Sequence, residues 1–69
     1  MVYERIVGTD WYNSTSEINK NVLQGFVEGK PYNAIIRSNL LTLWEFQCAK
    51  IDINAELSRM YPNAEEMPK

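Results

Sequence analysis

Apolar side chains recur at helical spacing along two stretches of this chain, and in the second they fall on two faces. That stretch, residues 34–61, reads AIIRSNLLTLWEFQCAKIDINAELSRMY. At ~100° per residue, Leu40, Leu41, Trp44, Cys48, Ile51 and Ala55 share one face. Leu43, Phe46, Ile53, Leu57, Met60 and Tyr61 share a second, roughly opposite. A helix that is apolar nearly all round requires burial on most sides. Glu45, Asp52 and Glu56 form a narrow acidic strip between the faces, read as solvated surface because Glu45 and Asp52 lie two turns apart. Gln47, Asn54 and Ser58 fall opposite that strip. They serve either to fix register at an interface or as a second solvent strip.

The first helical stretch precedes it. Ser14-Thr15-Ser16-Glu17 has the spacing of a capping box, in which Ser14 and Glu17 satisfy each other's backbone amides. Ile18, Val22 and Phe26 then line one face, flanked by Leu23 and Val27, with Asn19, Lys20, Asn21 and Gln24 turned away. Gly29 is a natural residue just past a helix end, and Pro31 cannot continue the helix. The expectation is an all-α fold: an antiparallel helical hairpin with helix 1 over 14–29 and helix 2 over 33–61. Residues 1–13 form an extended N-terminal arm and connector, and 62–69 a frayed polar tail after Pro62. The arm follows from the alternation in Met1–Val7, which suits a short strand but has no partner strand here. A competing reading makes 41–54 a pair of strands, since both Trp44–Cys48 and Lys50–Asn54 alternate with period two. No Gly, Pro or Asn-Gly turn lies between Ala34 and Tyr61 to support it.

The unequal helix lengths imply a partner. At a rise of ~1.5 Å per residue, helix 1 covers helix 2 only to about Gln47. The overhang carries Ile51, Ile53, Leu57, Met60 and Tyr61, the expected homodimer contacts. Burial is worth roughly 1.5–3 kcal/mol for each such large apolar side chain. Trp11 and Tyr12 precede helix 1, and folding back brings them towards Trp44 and Phe46; these four aromatics are the candidate partner-binding residues. The alternative is that they close the core as a lid.

Composition narrows the chemistry. With 69 residues the chain forms one small domain, a size at which only about 60% of the unfolded surface is buried. There is one cysteine, Cys48, and no histidine, so neither an internal disulfide, a Cys/His metal cage nor His-based acid–base catalysis is available. Cys48 lies among apolar residues and reads as a small core residue rather than a reactive thiol. No cofactor and no enzymatic activity are expected. The formal net charge is −2 and the seven basic residues are scattered, which disfavours nucleic acid and anionic membrane. The N-terminus carries no signal-peptide pattern and every apolar stretch is interrupted by polar residues. The expected location is cytoplasmic, and Asn13-Ser14-Thr15 is then a chance match to the glycosylation pattern. The resulting expectation is a non-enzymatic protein–protein interaction module that self-associates and serves in assembly, adaptor or regulatory work. The alternatives are a small acidic inhibitor or decoy docking on a larger protein, as in phages and mobile elements, and a dimeric DNA-binding regulator that gathers Lys20, Lys30 and Arg37 by symmetry.

Overall fold

The computed structural model describes residues 2–62. Among these residues the fold is all-helical, with a 3-10 turn over Val2–Arg5 and four α-helices: α1 Asp10–Ser14, α2 Glu17–Val27, α3 Tyr32–Ser38 and α4 Leu43–Met60. The expected tail, 62–69, lies outside the described residues apart from Pro62.

The N-terminal segment is wound, not extended. Lacking a strand to pair with, its backbone bonds to itself: the amides of Ile6 and Val7 donate to the carbonyls of Tyr3 and Glu4. This turn drives Ile6 fully into the core. Gly8, with φ of 87°, reverses the chain. Thr9 then caps α1, accepting from the Tyr12 amide at 3.3 Å. Ser14 therefore ends α1 instead of starting helix 1. The cap of α2 is Ser16, which accepts from the Asn19 amide at 3.2 Å.

The largest departure is the break in the expected second helix. Residues 39–42 separate α3 from α4. At the end of α2, the Lys30 amide donates to the Gly25 carbonyl and the Gly29 amide to the Phe26 carbonyl, with Gly29 at φ 74°. The end of α3 repeats this motif: Leu41 donates to Ile36, Leu40 to Arg37, and Leu40 sits at φ 53°. Leucine thus occupies the left-handed position that glycine fills after α2, which hides the break from a search for Gly and Pro. Asn39 adds a side-chain bond to the Ile35 carbonyl at 3.0 Å. Thr42 then opens α4 with a capping box: it accepts from the Glu45 amide at 3.1 Å, and the Glu45 carboxylate accepts from the Thr42 amide at 2.9 Å. The strand reading of 41–54 is excluded by the continuous run of α4.

The core consists of Ile6, Val22, Leu23, Ile35, Phe46, Ala49, Ile53 and Leu57. Along α2 and α4 the contacts run in opposite order, with Asn19 meeting Asp52 and Phe26 meeting Phe46. Gly25 lets α3 approach α2 at Ile35. The wound N-terminal segment packs against α2 and adds Ile6 to the core that holds Ile53 and Leu57, so these two are buried within one chain.

Candidate interaction face

The two apolar faces of α4 have different fates. The face with Phe46, Ile53 and Leu57 lies inward, joined by Ala49. The opposite face lies outward: Trp44 is 76% exposed and Ile51 64%, with Cys48, Ala55 and Ser58 also exposed. Trp44, Cys48, Ile51, Ala55 and Ser58 follow one another at intervals of four, three, four and three residues, the spacing of a helix–helix seam. Leu43, in the first turn of α4, is exposed at 60%, and Leu40, in the turn before the helix, at 91%.

The interface residues expected from sequence are dispersed by this arrangement. Ile51 lies on the exposed face. Ile53 and Leu57, at 0% and 5%, belong to the chain's own core, and Met60 and Tyr61 are half-buried against it. The four expected partner-binding aromatics divide as well. Trp44 and Phe46 lie two residues apart on a helix and so point to different sides, Trp44 to solvent and Phe46 inward. Trp11 and Tyr12 pack half-buried against the core, and Lys20 sits over the Tyr12 ring at 5.7 Å. Among the described residues the ring contacts instead join Tyr3, Phe26, Tyr32 and Phe46, with Phe26 edge-on to Phe46 at 5.9 Å. Of the residues expected to make contacts, Ile51 and Trp44 lie on the outward face, and the others lie in or against the core. Leu40, Cys48 and Ala55 were legible as a stripe, but which stripe turns inward depends on where α2 packs.

Cys48 is exposed, correcting its reading as a core thiol. The acidic strip is corrected at Glu56; Asp52 is exposed and Glu45 half-buried. Glu56 is buried at 5%, and its carboxylate accepts from Arg59 Nε at 3.0 Å. Those hydrogen bonds hold its pKa down; burial opposes them, and the positive charge of Arg59 adds to the lowering. Asp52 accepts from Asn19 Nδ2 at 3.2 Å, and the same amide group donates to Thr15 Oγ1 at 2.9 Å. Asn19, expected on the solvent side, is buried. The charged groups flanking the stripe therefore have partners within the chain: Glu45 at its cap, Asp52 on Asn19, and Arg59 on Glu56.

Shallow grooves bound the stripe on both sides. One, of ≈ 470 Å³, is lined by Phe26, Tyr32, Leu43, Phe46, Gln47 and Lys50. The other, of ≈ 280 Å³, runs between α2 and α4 beside Trp44 and Cys48. The outward face of α4 is thus an apolar ridge between two depressions, a shape that a second helix can straddle. Among the described residues no group of three His, Cys, Asp or Glu side chains is placed to hold a metal, and no helix is long and apolar enough to cross a membrane. The chain matches no protein-family model, no curated protein and no solved structure.

Proposed function

We propose that this chain is a non-enzymatic helical interaction module that self-associates through the outward face of α4, in an assembly, adaptor or regulatory role. The observation that carries the reading is the apolar stripe of Trp44, Cys48, Ile51 and Ala55, exposed along a well-capped helix. A contiguous exposed apolar patch on a small domain marks a binding surface. Trp44 supplies the large aromatic anchor that dominates interface energetics, and the small Cys48 and Ala55 let another backbone come close. Glu45, Asp52 and Arg59 flank the seam rather than lie in it, each with a hydrogen-bond partner in its own chain.

Sedimentation over a wide concentration range tests the reading. The expected result is a reversible monomer–oligomer equilibrium that Ile51→Asp abolishes while the monomer keeps its helicity and melting temperature. A chain that stays monomeric throughout, or an oligomer indifferent to Ile51→Asp, overturns it.

A further inference from the structure

Resting on the reading of α4 as a self-association face, we infer that two copies dock α4 against α4 in antiparallel order, with Trp44 seated over the partner's Ala55 and Ile51 beside the partner's Cys48. The exposed positions 44, 48, 51 and 55 are separated by four, three and four residues, a spacing that reads the same in both directions. A second copy running backwards therefore falls into register about a two-fold axis between Ala49 and Lys50. In that register every large side chain meets a small one, so the two helices stay evenly spaced along the seam. Parallel docking would instead set Trp44 on Trp44 at one end and Ala55 on Ala55 at the other, forcing the helices apart at the first and leaving a void at the second.

The flanks agree with this orientation. Gln47 and Asn54, both exposed on one side, exchange across the same axis, and each amide can donate to and accept from the other. On the other side, Arg59 at the C-terminal end of one α4 falls level with the turn that precedes the partner's α4. Antiparallel order also opposes the two helix macrodipoles, each acidic at its first turn and basic at its last. The approach of Glu45 to the partner's Asp52, which the two-fold axis repeats at both ends, opposes the docking and further weakens the dimer. The seam from Trp44 to Ala55 runs only ~17 Å at ~1.5 Å per residue. So short a seam suits a weak, reversible dimer rather than a permanent one.

A side-chain exchange across the seam tests the register, with sedimentation as the readout and circular dichroism to confirm folding. Trp44 and Ala55 are exposed in the monomer, so their replacement leaves the core intact. Trp44→Ala and Ala55→Trp should each weaken self-association by about ten-fold or more. The double variant Trp44→Ala/Ala55→Trp again places a large residue over a small one and should recover the native affinity to within about three-fold. Additive loss in the double variant, with the native chain associating and Ile51→Asp abolishing association, overturns the antiparallel register alone. Absence of association by the native chain overturns the self-association reading as well.

Discussion

Gly25 of α2 and Ile35 of α3 are packed so closely that a Cβ on Gly25 would lie 2.5 Å from Cγ1 and 2.8 Å from Cδ1 of Ile35. In an open helix, Gly→Ala gains up to about 1 kcal/mol from helix propensity. Here the added methyl meets a fully packed, β-branched side chain, and overpacking typically costs about 1–3 kcal/mol. Gly25→Ala should therefore lower unfolding stability in a urea titration, and Ile35→Ala should relieve part of the loss when combined with it. A stabilised Gly25→Ala variant would show that α3 can move away from α2 at little cost.

The turn between α3 and α4 holds a conformational reserve. Leu40 adopts φ 53° with its side chain almost wholly in solvent. It bears the steric cost of a left-handed backbone, about 1–2 kcal/mol for an L residue, in exchange for few contacts. Leu40→Gly should raise the thermal midpoint, while Thr42→Ala, which removes the α4 cap, should cost about 0.5–2 kcal/mol. A fall in stability on Leu40→Gly would mean that the leucine side chain contributes more than its strain.

The two faces of α4 should respond oppositely to truncation. Ile53 and Leu57 are core residues, so Ile53→Ala or Leu57→Ala should each cost about 2–5 kcal/mol in the isolated chain. Ile51→Ala, on the outer face, should leave the unfolding curve of the dilute monomer nearly unchanged. Equal losses at positions 51 and 53 would contradict the inward and outward assignment of the two faces.

Cys48 offers a chemical probe of the same surface. Being exposed, it should react with a maleimide in the native protein without prior unfolding. Labelling should slow as protein concentration rises and the seam closes, and a bulky label should block association. Concentration-independent labelling across the association range would remove Cys48 from the contact.

Acid stability should report on Glu56. Hydrogen bonds from Arg59 hold its folded-state pKa below the ordinary value of 4.5. A lowered carboxylate pKa stabilises the folded state fully above the unfolded value, and this contribution fades as pH falls from about 4.5 through the lowered value. Glu56→Gln should therefore flatten the acid limb of the stability curve in that window. Superimposable acid limbs for the native chain and the variant would show that the Glu56–Arg59 pair contributes nothing to folding.

The helical class was legible in the amino-acid sequence, and so were three helix ends: the end of α2, the start of α3 and the end of α4. Gly29 and Pro31 end α2, the 3.6-residue periodicity of Val22, Leu23, Phe46, Ile53 and Leu57 marks core positions, and the double apolar character of α4 is visible residue by residue. The cap at Thr42 and Glu45 was also written in the sequence as a Thr-x-x-Glu spacing, and with it the start of α4. The turn before it was less legible, because leucine at position 40 is an unusual occupant of a left-handed site and is tolerated only where surrounding hydrogen bonds impose the conformation. Tertiary structure alone decided which face of α4 turns inward. Two apolar stripes of one helix are nearly equivalent locally, and the choice rests on where α2 and the wound N-terminal segment can pack without voids. It also decided that Asn19 lies buried against Asp52, a partner 33 residues away, and that Glu56, whose i,i+3 pairing with Arg59 is local, faces the core. The outward stripe is the residue of that choice: core packing took Phe46, Ile53 and Leu57 and left Trp44, Cys48, Ile51 and Ala55 uncovered.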